Sequence, residues 1–258
     1  MAARLGQARL TLPARAALGL AALIMIAPLL WTLLLSLKHN ADLVGHSGAA
    51  LHPPYTLENY GTIFGNSLTL RWLLNSAIVA LGQTAGVLIL ASLAGYAFAR
   101  LEFPLKRTLF VIVLLGLAVP SQAVILPGLV APFGVFFMTT YMRGIPAELD
   151  EAAMLDGASR WTIFWKIIVP LTIPAQSTLA VFTFLGAWND YWWPLISATR
   201  SDMYTLTVGL AAAQMNYAQT SGLGYLMAQA VFASVPIFIV YIIFQKQIVR
   251  AMAGASVR

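Results

Sequence analysis

Long runs without a single charged residue constrain this chain more than any other feature. Three of them extend from Ala16 to Leu37, from Trp72 to Ala99 and from Thr108 to Met142, and two more from Ile167 to Asn189 and from Met203 to Gln245. A helix that crosses the hydrocarbon core of a bilayer needs about 20 apolar residues. The chain is 60% hydrophobic and 9% charged, whereas soluble domains carry about 25% charged residues. The sequence therefore predicts an all-α integral membrane protein.

The charge-free runs divide into six predicted membrane spans. The run from Thr108 to Met142 contains Pro120, Pro127 and Pro132, so it is too long and too interrupted for one helix and predicts two spans with a very tight connection. The first run exceeds the apolar region of a cleavable signal peptide, which favours an uncleaved first span. Residues 1–258 then form one transmembrane domain. Its spans cover about residues 16–37, 72–99, 108–126, 128–142, 171–190 and 227–244, and a long loop covers 143–170.

Basic residues divide unequally between the two sides of these spans. With the N-terminus in the cytoplasm, only Lys38, Arg71 and Arg200 lie outside. An excess of Lys and Arg in cytoplasmic loops is typical of membrane proteins, so both termini are predicted to be cytoplasmic. The location of the basic residues in cytoplasmic loops accounts for the net charge of +6, so a nucleic-acid partner is not expected. The twelve basic residues assigned to the inside are Arg4, Arg9, Arg15, Arg100, Lys106, Arg107, Arg143, Arg160, Lys166, Lys246, Arg250 and Arg258.

Several classes of chemistry lack the residues that they need. The absence of cysteine excludes disulfides and thiolate sites, and His39, His46 and His52 fit no metal-ligand spacing. An intramembrane protease needs paired aspartates, or a serine with a histidine, at membrane depth, and an ion-coupled transporter needs ionisable residues in several spans. The predicted spans are essentially free of such groups. We therefore expect no catalytic and no metal site.

The predicted cytoplasmic loop between spans four and five differs from the other loops in its acidic charge. Pro146 is suited to the first turn of a helix, the acids that follow it favour the positive end of the helix dipole, and Gly157 is suited to end the helix. Four of the nine acidic residues of the chain lie here, namely Glu148, Asp150, Glu151 and Asp156.

A second amphipathic piece is predicted after Gly157. Ser159 is a good N-cap, and this piece should lie along the membrane surface until Pro170 and Pro174 turn the chain into span five. The small residues that precede this second piece let a short helix approach another backbone closely. This indicates a partner protein on the cytoplasmic side. The alternative is a solvated linker. The apolar stripe of the second piece consists of Trp161, Phe164, Trp165 and Ile168.

The same loop resembles the EAA loop of ATP-binding-cassette importer permeases. Glu151, Ala152 and Ala153, then Gly157, and finally Pro170 match that motif, with Val169 where the family usually has Leu. Residues 57–60, 95–107 and 188–195 resemble the carbohydrate-importer branch of type I permeases, which includes the MalG-like subunits of maltose transport. The resemblance covers about residues 55 to 257. Between residues 125 and 143 the chain is shorter than this family, which favours an omitted stretch over an abbreviated fourth span.

The resemblance implies a six-span permease with a cytoplasmic coupling helix in a bacterial or archaeal plasma membrane. It implies a second homologous permease, two ATPase domains that carry ATP and Mg, and an extracytoplasmic solute-binding protein as partners, beside membrane lipid. The chain itself lacks the Gly-Lys pair of a P-loop, so it should bind no cofactor and be no enzyme. The ATPase-coupling residues would be Glu151, Ala152, Ala153, Asp156, Gly157, Ala158 and Pro170.

Uncharged polar and indole side chains are the predicted lining of a solute pathway. An indole ring can stack on a sugar, and amides can bind its hydroxyls. The alternatives are hydrogen bonds between helices, interfacial Trp anchors and an aspartate that caps a span. The chain is thus predicted to form half of the pathway for a sugar or sugar-like solute, or alternatively to be a membrane receptor or scaffold that docks a cytoplasmic partner without transport. The pathway candidates are Asn75, Gln83, Gln122, Trp188, Asn189, Asp190 and Trp192.

Overall fold

A computed structural model describes residues 11–43, 49–118, 131–217 and 222–255. In these ranges every regular element is helical, as the all-α prediction requires. Gln122, His46, Arg4, Arg9 and Arg258 lie outside the described residues. The α-helices are α1 (Leu12–Ser36), α2 (Asn40–Leu43), α3 (Glu58–Gly65), α4 (Ser67–Arg100), α5 (Lys106–Leu115), α6 (Pro132–Arg143), α7 (Glu148–Leu155), α8 (Arg160–Ile163), α9 (Val169–Leu171), α10 (Ile173–Trp188), α11 (Trp192–Ser197), α12 (Leu206–Tyr217) and α13 (Gly222–Ala255).

Three of the described helices are long and apolar enough to cross a membrane by themselves. They are α1 with 25 residues, α4 with 34 residues and the part of α13 from Gly222 to Gln245. A fourth span arises if Arg160–Leu171 and Ile173–Trp188, which meet at an angle of 73°, are counted as one broken span. These lengths confirm a helical membrane protein. The full six-span division stays a prediction.

The region of predicted spans three and four is only partly described. Helix α5 has ten residues and ends in a 3-10 turn, Gly116–Ala118, and α6 has twelve residues. Each is shorter than the roughly 20 residues of a complete span. A Cβ on Gly116 would lie 2.8 Å from Cγ of Pro132, so the two pieces approach each other closely. The predicted spans 108–126 and 128–142 extend into residues 119–130, outside the described part.

The helices form two compact units. The first contains Met1–Asn66 and Ala212–Phe232, and the second contains Ser67–Ala211 and Ala233–Arg258. Each unit has its own packing.

In the first unit, side chains of α3 and of the loop that follows α1 form hydrogen bonds near the C-terminal end of α1. The Asn59 amide Nδ2 donates to the carbonyl oxygens of Ser36 and Lys38, both at 2.9 Å. The Lys38 side chain is buried, donates from Nζ to the Pro54 carbonyl at 2.9 Å, and lies 4.3 Å from the ring centre of Tyr55. A buried ammonium is costly unless it is paired. Carbonyl oxygens and an aromatic face supply that pairing here.

In the second unit, small residues let α4 and α6 approach closely. A Cβ on Gly95 would lie 2.8 Å from Cβ of Met138, and one on Gly134 would lie 3.2 Å from Cβ of Ala91. Membrane helices associate through such small residues, because close backbones maximise van der Waals contact. The core extends from the spans into the loop that follows α7. It consists of Val87, Ala91, Tyr96, Met138, Met142, Ile163, Phe164, Ile168, Ala175 and Leu179.

Candidate functional site

The short helix α7 carries most of the predicted coupling residues. The Ala147 carbonyl accepts hydrogen bonds from Asp150 and Glu151 at 2.9 and 3.1 Å, so Ala147 is the N-cap. Pro146 therefore precedes the cap, and its predicted place in the first turn is wrong. The cause is the turn after α6: the first carbonyl that accepts a helical hydrogen bond belongs to the residue after the proline.

Gly157 ends α7 as predicted. Its φ is +80°, its N–H donates to the Met154 carbonyl at 3.0 Å, and the N–H of Ala158 donates to the Ala153 carbonyl at 2.9 Å. This pair of bonds is a Schellman motif, in which the last free carbonyls of a helix are satisfied by a left-handed residue. A side chain with a branched Cβ would be strained at that φ.

The chain then forms a second helical piece. Ser159 Oγ accepts the N–H of Thr162 at 3.1 Å, which confirms Ser159 as the N-cap. Helix α8 continues through a π-helical turn, Phe164–Ile168, into α9, where Pro170 is exposed, and the chain bends at Thr172 into α10.

The predicted apolar stripe of this piece is divided between the protein core and the surface. Phe164 and Ile168 are buried, but so is Ile163, whereas Trp161 and Trp165 are 62% and 55% exposed. A π-turn bonds residues that are five rather than four positions apart, which interrupts the 3.6-residue period on which the prediction rests. Two indoles are therefore left on the surface of the loop.

The predicted coupling residues divide between two faces of the loop. Ala153 and Ala158 are partly buried against the core of the second unit. Glu151, Ala152, Asp156 and Gly157 are exposed. The exposed face also carries apolar side chains that the motif did not single out, namely Leu149, Met154 and Leu155, of which Leu155 is 90% exposed.

An ion pair beneath α7 lies outside the predicted site. Arg100 Nε lies 3.1 Å from Asp150 Oδ2, and each side chain is only 9% exposed. Arg100 also donates from Nη2 to the Ile145 carbonyl at 2.7 Å. Because Arg100 is the last residue of α4, this pair attaches α7 to the end of a membrane span. The charges of both residues are visible in the sequence, but the distance between them is not.

The predicted pathway residue Trp188 is a packing residue in this conformation. It is 3% exposed, its ring stacks on Phe184 with the centroids 5.7 Å apart, and its Nε1–H donates to the Ala233 carbonyl at 3.2 Å. The ring therefore reaches neither a solute nor a lipid headgroup, because it fills the contact between α10 and α13.

The residues that follow Trp188 differ in their accessibility. Asn189 is exposed, although its Nδ2 donates to the Leu185 carbonyl at 2.9 Å, and Trp192 is 57% exposed. Asp190 Oδ1 accepts the N–H of Trp193 at 3.5 Å, next to the start of α11. The Asp190 side chain thus lies at the start of α11, whereas Asn189 is the C-cap of α10, so Asp190 does not cap the end of span five as the alternative expected. Asn189 and Trp192 stay accessible.

Asn75 holds a loop against α4. Its Nδ2 donates to the carbonyl oxygens of Asp202 and Tyr204, both at 2.9 Å. One turn earlier, Trp72 Nε1 donates to the Ser201 carbonyl at 2.7 Å. The amide donors of Asn75 are therefore engaged with the protein, as the alternative of interhelical hydrogen bonds expects.

Gln83 lines a cavity of about 210 Å³ between α4, α6 and α10. Thr183 supplies a second polar group, and Phe133 and Phe182 supply aromatic surface. Aromatic faces beside amide and hydroxyl groups suit a sugar, which has apolar ring faces and polar edges. The remaining lining residues are Ala131, Gly186 and Ala187.

Comparison with known proteins places this helical arrangement among transport proteins. A family model described as "Binding-protein-dependent transport system inner membrane component" matches residues 9–254. The chain is 30% identical over 257 residues to the diacetylchitobiose uptake system permease protein NgcG of Streptomyces coelicolor, with 91% of this chain and 85% of that protein covered. It is 32% identical to the arabinooligosaccharides transport system permease protein AraQ of Halalkalibacterium halodurans, with 92% of each covered. It is 31% identical to the trehalose transport system permease protein SugB of Mycobacterium tuberculosis, with 90% of this chain and 92% of that protein covered.

A solved structure shows the same fold. It is a crystal structure of a bacterial ABC transporter involved in the import of the acidic polysaccharide alginate. One of its chains matches with a TM-score of 0.77 at 21% identity, and the match covers 90% of this chain and 94% of that chain.

Proposed function

Because the chain belongs to the family of binding-protein-dependent transport system inner membrane components, we propose that it forms half of a translocation pathway and couples to a separate ATPase through α7. Its relatives are sugar-transport permeases, so the chain is a permease subunit for sugar import and not an enzyme. ATP and Mg are assigned to partner ATPase chains, and this chain binds neither. A second homologous permease supplies the other half of the pathway, and a solute-binding protein delivers the solute.

The observation that carries the coupling proposal is the exposed face of α7. Leu155 projects almost fully at its end, and Glu151 and Asp156 flank it with negative charge. An exposed apolar side chain surrounded by charges suits a cleft on a partner protein, where the apolar group is buried and the carboxylates pair with Arg or Lys. Gly157 keeps the turn after the helix tight, so that this face stays presented.

The attachment of α7 explains how motion of the ATPase would reach the spans. The Arg100–Asp150 pair ties α7 to α4, and Phe164 and Ile168 belong to the same core as α6 and α10. A displacement of α7 is therefore passed to three helices that surround the Gln83 cavity. ATP binding closes the two ATPase domains, each ATPase domain moves one coupling helix, and the permease alternates between an inward-open and an outward-open state.

The Gln83 cavity is the proposed contribution of this chain to solute contact. Its volume lies below the roughly 300–1,000 Å³ of ordinary ligand pockets, so the second permease would supply the facing wall. Asn189 and Trp192 are the accessible groups near the predicted external end. The proposed orientation has both termini in the cytoplasm of a bacterial or archaeal cell, with α7 on the same side as the ATPase.

Substitutions on α7 test the coupling proposal. Glu151→Lys reverses a charge at the docking face, and Gly157→Val strains the Schellman turn. We expect both variants to insert and to pair with the second permease, but to lose the ATPase or to hydrolyse ATP without solute uptake in membrane vesicles. Glu102→Lys is the matched control, because the Glu102 side chain is 89% exposed, lies outside α7 and gives up only a surface ion pair with Lys106, which contributes little to stability. Gly157→Asn should retain function, because Asn tolerates a positive φ.

Normal uptake by Glu151→Lys and Gly157→Val would contradict the assignment of α7. A receptor or scaffold would also bind a partner at this face. It predicts, however, that solute-loaded binding protein leaves ATP hydrolysis by the purified complex unchanged, whereas a transporter predicts stimulation.

Substitutions in the cavity test solute contact. Gln83→Ala and Thr183→Val each remove a polar group, and loss of one hydrogen bond corresponds to a roughly two- to tenfold higher solute concentration for half-maximal uptake. Ser177→Ala is the control, because Ser177 Oγ donates to the Ile173 carbonyl of its own helix and does not line the cavity. Unchanged uptake in both cavity variants would leave Gln83 with a purely structural role.

A further inference from the structure

A second cavity lies where the loop after α7 meets the end of α4. Its volume is about 270 Å³. Among the described side chains that line it, Arg160 alone is charged, and the Tyr96 hydroxyl donates to the Arg160 carbonyl at 3.4 Å. The other lining residues are the aliphatic and aromatic Leu93, Ala97, Leu101, Trp161 and Phe164. The cavity is thus apolar with a cation at its rim.

The length of α4 places this cavity at a membrane surface. Its 34 residues correspond to about 51 Å at 1.5 Å per residue, which exceeds the roughly 40–45 Å of a bilayer including headgroups. With α4 centred in the bilayer, its last turns, from Leu93 to Arg100, lie in the headgroup region. The lipid-exposed apolar groups deeper along α4 would then contact acyl chains, and the exposed groups beside its end would contact phosphates.

Exposed aromatic and basic side chains surround the cavity on the loop. Trp161 packs edge-on against Phe164 with the centroids 6.0 Å apart, and Trp165 does so at 4.9 Å, yet both indoles remain more than half exposed. Arg160 and Lys166 are exposed beside them. Indoles favour the membrane interface, and clustered Lys and Arg attract anionic lipid.

We propose that this cavity binds one anionic phospholipid of the adjacent leaflet. The headgroup phosphate pairs with the Arg160 guanidinium, an acyl chain occupies the apolar cavity between α4 and Phe164, and the Trp161 indole covers the glycerol region. Phosphate with an attached hydrocarbon chain is the ligand that matches a cation at the rim of an apolar cavity. The site depends on neither the solute nor the identity of the ATPase.

Native mass spectrometry of the purified importer complex tests the proposal with phosphatidylglycerol and phosphatidylcholine as probes. We expect the wild-type complex to retain phosphatidylglycerol in preference to phosphatidylcholine. Arg160→Gln should weaken this retention about fivefold, the effect of one basic residue near an anionic surface. Ala97→Leu should also weaken it by filling the cavity without a change of charge.

Two controls separate the site from general charge. Arg107→Gln removes the same charge from an exposed position that does not line the cavity and should retain the lipid. Arg160→Lys keeps the cation and should restore most of the binding. Equal losses in Arg160→Gln and Arg107→Gln would overturn the site, as would unchanged retention in Ala97→Leu. A photo-crosslinking residue in place of Trp161 should label phospholipid. Labelling of the second permease or of the ATPase would show that a protein covers the cavity and would also overturn the proposal.

Discussion

The buried pair of Arg100 and Asp150 yields the sharpest prediction about coupling. Each side chain is 9% exposed, and their Nε and Oδ2 atoms are 3.1 Å apart. Removing one partner from such a pair leaves an unpaired charge in a poorly solvated place and costs about 3–5 kcal/mol. Replacing both partners with apolar residues is often nearly neutral. We therefore predict that Arg100→Met and Asp150→Leu each loosen α7, and that the double variant is closer to the wild type than either single variant.

The two single variants should differ in how strongly they destabilise the attachment of α7. Arg100→Met also removes the 2.7 Å bond to the Ile145 carbonyl, which adds about 1 kcal/mol, and leaves a buried carboxylate. In Asp150→Leu the arginine keeps that carbonyl partner, and its long side chain can reach toward the headgroups. Asp150→Leu should therefore lie at the lower end of the range.

Hydrogen exchange of the α7 amides in the assembled complex measures this effect directly. Local opening free energies determine the exchange rate, so a loss of 3–5 kcal/mol accelerates exchange by about 10²- to nearly 10⁴-fold. The ratio of solute uptake to ATP hydrolysis should fall in parallel, because a loosened α7 no longer moves α4. Exchange that is equally fast in both single variants and in the double variant would refute the reasoning, since it would show that the two charges do not depend on each other.

Three further predictions address topology, the outer tryptophans and close packing. A reporter fused after Leu105 should register as cytoplasmic and one placed near His46 as external, and an internal His46 reporter would overturn the span count. Trp188→Ala should lower the yield of folded complex, because loss of a buried indole costs about 3–5 kcal/mol. Trp192→Ala should assemble normally and weaken only uptake. A stable Trp188→Ala complex would contradict this prediction. Gly209→Ala should reduce the thermal stability of the complex, because its Cβ would overlap the Trp72 indole, and an unchanged melting temperature would show that the helices adjust freely.

Local interactions explain which features were predictable from the sequence. Charge-free runs identify α1, α4 and α13, because the need for about 20 apolar residues acts on each segment separately. Gly157 and Ser159 were predictable as helix ends, because a cap depends on bonds to residues two to five positions away. The EAA resemblance indicated the loop for the same reason, since its residues are close together in the chain.

The roles of individual polar side chains depend on packing between distant segments. Asn75 donates to a loop 127 and 129 residues later, and Arg100 pairs with a residue beyond two intervening helices. The sequence by itself determined that this chain is a helical membrane protein whose loop before α10 is capped, because hydrophobicity and capping are properties of short segments. Only the tertiary structure decided that Trp188 is buried, that Gln83 faces a cavity and that α7 is attached to α4, because each depends on which helix faces lie against each other.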